Sequence, residues 1–536
     1  MKPFDSEYYP YPSQRRTIFA QNGMVVASQS LAAQAGLKIL QQGGNAIDAA
    51  IATAVCLTVV EPTSNGIGGD AFALIWSQEK LHGLNASGPA PRAISLELLR
   101  KEGYQKVPFF GLIPVTVPGV PAAWAELSRR FGHLPFAEVL KPAISYARRG
   151  FPVSSLVSYL WKNSYQLYYK YRNDQVFHPW LETFAPGGRT PEAGELWRIP
   201  ELALTLEKIA DSNAESFYRG ELAEQIDDFF SRHSGYLRKT DLVSFSPQWV
   251  NPISVSYQGY DVWEIPPNGQ GLVVLLALNI LKGFKHTVKD DPQTLHQQIE
   301  AIKLAFRDGL HYITDFLEMG FRIEELLSPE YARQRKSLIG EKALTPDSFQ
   351  PFGSDTVYLA TADNEGNMVS YLQSNYRGFG SGIVIPGTGI SMQNRGACFS
   401  LDPSHINCLK PGKRTYHTII PGFLSKDGEA IGPFGITGAF LQPQGQVQII
   451  TNMLDFGLNP QAALDAPRWQ WVEEKQVKLE RGFPQNIVTE LGKRGHKIEV
   501  TEDISEMGRG QIIWKEKNGV LLGATEPRCD GAVAAW

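Results

Sequence analysis

The chain of 536 residues has only four cysteines, Cys56, Cys398, Cys408 and Cys529, and no CxxC pair. That excludes a zinc ribbon and a disulfide framework, and it fits a reducing compartment. Long apolar runs are missing too: the two most hydrophobic stretches, residues 51–60 and Gly271–Leu281, are too short to span a bilayer. The opening MKPFDSEYYPYPSQRR lacks the apolar core of a leader, so the expectation is a cytoplasmic protein with no membrane partner. Charge of one sign is absent as well. With 51 Lys plus Arg against 55 Asp plus Glu there is no field to gather nucleic acid. There is no HExxH, no GxxxxGK[ST], no GxSxG and no His/Cys cluster with metal spacing. Zinc proteases, P-loop enzymes and α/β-hydrolases lose their signatures, and neither a metal nor a cofactor is expected.

What is present reads as a globular chain with a large core, 43% hydrophobic and 20% charged, with tight loops supplied by 50 Gly and 35 Pro. Residues 24–27 look like a short strand, and Ser28 or Ser30 can cap a helix running to Gln42, stopped by Gly43-Gly44. Asn45 caps a second helix that is apolar on several faces, as a helix buried between layers is, and Pro62 ends it. The turn Ser64-Asn65-Gly66-Ile67-Gly68-Gly69-Asp70 follows a helix and opens a strand, the reverse of a phosphate-binding loop, so nucleotide binding is not supported. Residues 157–172 mix aromatics with basic residues, but Val157, Leu160, Trp161, Ser164, Tyr168 and Tyr171 recur at helical spacing and predict a packing helix rather than a base-stacking surface.

From Thr356 the pattern changes. Residues 356–362 alternate as a strand, Asp363-Asn364-Glu365-Gly366-Asn367 turns, and residues 368–373 return. Glycine-rich loops at Gly378 to Gly382 and Gly432 to Gly438 are expected to interrupt later strands, and residues 460–466 read as a helix. Helical and strand patterns both occur throughout, which argues an α/β-containing class. On its residues alone the Asp355-Thr356 junction is an ordinary strand start, and ten histidines leave a triad assembled in space open.

Several short motifs, each weak alone, occur in one order: Gly43-Gly44-Asn45-Ala46-Ile47-Asp48-Ala49-Ala50, Ile67-Gly68-Gly69-Asp70-Ala71-Phe72, Val117-Pro118-Gly119-Val120, and Pro266-Pro267-Asn268-Gly269. They are followed by EAIKLAFRD from Glu300 to Asp308, Asp355-Thr356, Gly380-Ser381-Gly382 and Pro527-Arg528-Cys529-Asp530-Gly531. Together they cover nearly the whole chain, and they resemble the γ-glutamyltransferase family in a divergent form similar to cephalosporin acylases. The resemblance implies a four-layer αββα Ntn-hydrolase fold of class α/β (α+β), made as a precursor that cuts itself before a threonine. The implied fragments, residues 1–355 and 356–536, stay interleaved in one domain. Thr356 would be the nucleophile, and its freed α-amine, with a typical pKa of about 7.7 to 8.0, the proton acceptor. The resemblance further makes Gly438 and Ala439 the backbone donors for an oxyanion, Asn375 the side chain that holds the new amine, and Gln373 the counterpart of a hydroxyl beside the nucleophile.

The pattern departs where substrate is held. The family's carboxylate-binding arginine falls at Ala86 or Ser87, its ammonium-binding aspartate at Cys398, and its paired serines at His417-Thr418. Arg92 and Arg395 are the two candidates for a carboxylate, so the acyl pocket includes Gln373, Arg395, His417 and Thr418. The implied substrate is a small-molecule amide, γ-glutamyl or a related glutaryl-like acyl, with water or an amine as acceptor, and a further homodimer is left open. A short segment 400–414 predicts an open pocket. The alternative is an unprocessed or catalytically weak family member that serves as a small-molecule-binding protein.

Overall fold

The computed structural model describes residues 15–346 and 356–536; Asp355, on the amino side of the expected cut, lies outside the described residues. Two seven-stranded sheets are stacked between helices. The first runs, edge to edge, through Ala532–Ala535, Gly23–Ala27, Val357–Asp363, Met368–Ser374, Asp70–Ser77, Lys80–Ala86 and Gln248–Val250. The second runs through Ile18–Ala20, Leu521–Thr525, Gly510–Lys515, Glu429–Ile436, Gly422–Lys426, Tyr260–Glu264 and Ile253–Tyr257. Both sheets contain strands from before and after Thr356, so a cut there leaves two fragments joined by strand pairing.

The pleat sorts each strand of the first sheet between two cores. Val25, Ala27, Ala71, Ala73, Val357, Leu359, Val369 and Tyr371 face a helical layer in one core. Met24, Val26, Phe72, Leu74, Tyr358, Ala360 and Leu372 meet Phe423, Phe434, Ile436 and Ile512 of the second sheet in the other, backed by Gly271–Leu281, Pro292–Tyr312 and Leu441–Leu454. The expected four layers, αββα, are therefore the observed ones.

The apolar runs of the sequence are the helices Ala46–Val60 and Gly271–Leu281, buried along their whole lengths, and among the described residues no helix is long and apolar enough to cross a membrane. Asn45 caps the first of these, as read from the sequence, and the structure adds a reciprocal pair with Asp48. Two local expectations are corrected. The helix Ser30–Gln41 is capped by the Gln29 side chain, while Ser28 donates to Glu61 instead. Gly432 does not break a strand: Glu429–Ile436 runs through it, because a Cβ there would sit 2.0 Å from the Ile513 carbonyl and only glycine lets the neighbouring strand this close. The aromatic-basic stretch forms the helix Ser155–Tyr168, with Val157, Trp161 and Tyr168 buried.

Candidate active site

Strand register builds the site. Val357 pairs with Gln373, which sets Thr356 opposite Ser374; Ser374 pairs with Asp70; and Ala71 pairs with Ala86, which sets Asp70 opposite Ser87. Directly opposed residues share a face, so Thr356, Ser374, Asp70 and Ser87 form one row across the end of the first sheet, about 4.8 Å from strand to strand. The row looks toward the second sheet, as Tyr358 and Phe72 do two residues further in. Thr356 is buried, and its hydroxyl donates to Ser374 Oγ at 3.2 Å, which in turn accepts the Tyr376 N–H at 2.8 Å.

Ser374, not Gln373, is thus the side chain beside the threonine. Gln373 lies one residue back along the pleat and points into the helical core. There its Nε2 donates to the Ala54 carbonyl and Asn65 Oδ1, and its Oε1 accepts from Trp124 and Tyr371. Asn375 is also placed otherwise than expected: its Nδ2 donates to Ser391 Oγ at 2.9 Å, and its buried Oδ1 has no hydrogen-bond partner. No hydrogen bond joins it to Thr356 among the described residues. The glycine turn 64–70 gains its purpose here, since a Cβ on Gly66 or Gly69 would lie 2.8 or 2.5 Å from the Asn375 amide.

Gly438 (φ 114°) and Ala439 (φ 52°) form a left-handed turn between the strand Glu429–Ile436 and the helix Leu441–Leu454. That strand lies directly on the row inside Thr356, where the missing side chain of Gly435 makes room for the Tyr358 ring. Among the described residues neither the Gly438 nor the Ala439 N–H donates to a protein acceptor, and both precede a helix N-terminus. Two free amides in that setting suit a developing negative charge.

Near Asp70 in this row stands Arg395, fully buried in the short helical turn Arg395–Cys398. Its Nη1 donates to Thr418 Oγ1 at 2.8 Å, and the guanidinium lies 4.3 Å from the centre of the Tyr376 ring. Nε and Nη2 have no partner. These two N–H groups form the side edge of the guanidinium, the fork that takes a carboxylate in bidentate fashion. Arg92, the rival candidate, is exposed.

Asp70 is already engaged by three groups. Its Oδ1 accepts from the Gly88 N–H and Gln393 Nε2, and its Oδ2 lies 3.2 Å from His417 Nε2. The Ile419 N–H points at His417 Nδ1, which leaves the ring proton on Nε2, facing Asp70. Burial raises the Asp70 carboxyl to about 7 against the pull of Arg395. Burial first, and the Arg395 charge second, hold His417 well below its ordinary value, so the ring is neutral. Cys398, half-buried, contributes no anion: desolvation raises its thiol despite the nearby guanidinium.

Of the eight site residues read from the sequence, the structure groups Arg395, His417 and Thr418 around Asp70. It leaves Gly438 and Ala439 with free amides, and it turns Gln373 and the Asn375 amide to other partners. Ser374 was the residue missed, although counting outward equally from Glu365 in the turn would have set it opposite Thr356. Away from the site, His296, Glu300 and His496 bring their ligand atoms within 4.8 Å of one another, but the Lys303 ammonium, 2.8 Å from Glu300 Oε1, already supplies that carboxylate with a cation.

Residues 32–536 match the family model described as gamma-glutamyltranspeptidase. The chain is 37% identical to the glutathione hydrolase-like YwrD proenzyme of Bacillus subtilis (strain 168), over 96% of this chain and 99% of that one. It is 35% identical to the oxamate amidohydrolase proenzyme of Klebsiella pneumoniae, over 96% of this chain and 98% of that one. Among solved structures it is similar to the cephalosporin acylase from Bacillus halodurans, with 61% identity, a TM-score of 0.97 and 99% of each chain covered.

Proposed function

The chain belongs to the γ-glutamyltranspeptidase family, and from that premise we propose that it cuts itself between Asp355 and Thr356 and then acts as an N-terminal-threonine amide hydrolase. The observation that carries the reading is the buried Thr356 hydroxyl, fixed on Ser374 at the head of a strand that ties both fragments together. A threonine hydroxyl is a poor nucleophile at neutral pH until a base takes its proton. The cut supplies that base as the α-amine of Thr356 itself, with a pKa of about 7.7 to 8.0.

Thr356 Oγ1 then attacks the substrate carbonyl while its proton passes to the α-amine. The Gly438 and Ala439 amides receive the oxyanion. Collapse breaks the C–N bond, the leaving amine takes the proton from the α-ammonium, and an ester to Thr356 remains. Water, or an acceptor amine, repeats the sequence in reverse and releases the acyl group.

Two features speak to the acyl group. The free side edge of Arg395 is a receptor for a carboxylate. The family's ammonium-binding aspartate is replaced by a thiol, and Asp70 is turned to the Gly88 N–H, Gln393 and His417. We therefore read the preferred substrate as a small amide whose acyl chain ends in a carboxylate and lacks a charged α-amine, glutaryl-like rather than γ-glutamyl. The names of the relatives, which span a glutathione hydrolase-like protein, an oxamate amidohydrolase and a cephalosporin acylase, fit amide substrates that differ in the acyl part.

The test is to trap the ester. Acid quenching during turnover of glutaryl and γ-glutamyl p-nitroanilides should leave the 356–536 fragment heavier by one acyl group, mapped to Thr356 and absent from Thr356→Ala. An acyl group on any other residue, or turnover without a covalent intermediate, contradicts the reading.

A further inference from the structure

We infer that Gln270 is a positioning residue that locks the oxyanion donors and the carboxylate grip to each other. The inference rests on the reading of Gly438 and Ala439 as the oxyanion donors and adds a residue that the reading does not require. Gln270 is fully buried at the start of the helix Gly271–Leu281, in a turn whose own backbone is tied to the acyl pocket: its N–H donates to the His417 carbonyl at 3.0 Å.

The side chain spends every polar atom on the site. One Nε2 hydrogen goes to the Thr418 carbonyl at 2.6 Å and the other to the Ala439 carbonyl at 2.8 Å, while Oε1 accepts from the Tyr416 hydroxyl at 3.0 Å. Thr418 is the residue whose hydroxyl holds Arg395, and Ala439 is one of the two proposed donors. A single carboxamide therefore spans the gap between the part of the pocket that would grip the substrate's charged end and the part that would meet its reacting oxygen.

The need for such a clamp follows from the backbone. Ala439 sits at φ 52°, a left-handed conformation that an alanine adopts only when its surroundings hold it there. Its carbonyl is restrained by Gln270 Nε2 and by the Gln442 N–H. Without the side-chain bond the turn is free to relax toward ordinary φ, and the amides at 438 and 439 swing with it. Ground-state binding through Arg395 would survive, since the Arg395–Thr418 bond does not pass through Gln270. The loss falls on the step in which the oxyanion forms.

The test uses the processed protein with a glutaryl anilide, rates being expressed per titrated Thr356. Gln270→Met, nearly the same shape without donors, is expected to lower kcat about 10- to 100-fold while KM stays within about threefold, because a misaimed donor costs less than a deleted one. Tyr416→Phe, which only frees Gln270 Oε1, should move kcat the same way by roughly three- to tenfold, and it carries the test if Gln270→Met fails to fold or stays uncut. Gln270→Glu adds a readout that a purely structural role would not move. A buried carboxyl donates only when protonated, so kcat of this variant relative to the parent should rise as pH falls from 8 to 5. Unchanged kcat per site in the methionine variant, a rise in KM alone, or a ratio flat with pH for the glutamate variant overturns the inference. Failure of the Thr356 reading shows separately, as an active Thr356→Ala protein.

Discussion

Replacing Arg395 with methionine keeps a long unbranched side chain in a fully buried place and removes a guanidinium whose Nε and Nη2 are unpaired. If those two groups hold the substrate carboxylate, the change removes two charge-assisted hydrogen bonds, each worth about 1.5 to 3 kcal/mol net. The lower part of that range applies, because Asp70 lies close enough to share the guanidinium charge. A total of about 3 to 4 kcal/mol corresponds to a fall of roughly 100- to 1,000-fold in kcat/KM. The control is a valeryl anilide, which has the chain without the carboxylate. Its kcat/KM should change by less than about threefold, since it never engaged the fork. The assay is release of the aniline from both substrates by both proteins, with active sites counted by acyl trapping. An equal fall for the two substrates would mean that Arg395 only shapes the pocket, and an unchanged glutaryl rate would refute the carboxylate assignment outright.

Ser374→Ala should slow both self-cleavage and turnover by about 10- to 100-fold per folded molecule, over and above the stability lost when the Tyr376 N–H loses its acceptor, as the Thr356 hydroxyl loses its only described partner. Gln373→Leu should do the reverse: it strands Asn65, Trp124 and Tyr371 in the core and costs roughly 2 to 3 kcal/mol of stability by denaturant titration, while kcat per folded site holds. An acid-sensitive joint lies away from the site, where His296 Nδ1 meets His496 Nε2 at 2.9 Å, one ring from each fragment. Burial chiefly lowers the two rings from 6.5 to about 4 and about 3. The unfolded chain therefore binds more protons than the folded one between these values, so the stabilisation is full above pH 6.5 and is lost as pH falls toward 3. Lowering His296 alone from 6.5 to about 4 corresponds to a loss of roughly 3 kcal/mol of stability, seen as a Tm that drops across this window and drops less in His296→Asn. A parent Tm that is flat from pH 6.5 to 4 would contradict it.

Much of this is legible in the sequence, and the parts that are not share a cause. The hairpin, the buried helix Ala46–Val60 and its Asn45 cap follow from local patterns: period two, apolar residues on several faces, and a capping residue at the helix start. The order of the motifs gave the family, and with it the four layers. What misled was position by likeness where a shift of one residue matters. Gln373 and Ser374 are adjacent in sequence yet face different cores, because each step along a strand reverses the side chain. Arg395 could be named as a candidate for a carboxylate, but its unpaired edge depends on Thr418, Tyr376 and Asp70, which come from three separate segments. Gln270 was invisible for the same reason, since its partners lie at 416, 418 and 439 and no local pattern marks it. Gly432 was read as a breaker because glycine most often is one; here it admits a neighbouring backbone.

The central claim is that Thr356 becomes a chain end and acts from there. N-terminal sequencing of the active protein tests it most directly. The account predicts two polypeptides, one of which begins Thr-Val-Tyr-Leu-Ala, and a Thr356→Ala protein that remains a single inactive chain. Full turnover by an uncut chain, or by that variant, would contradict it.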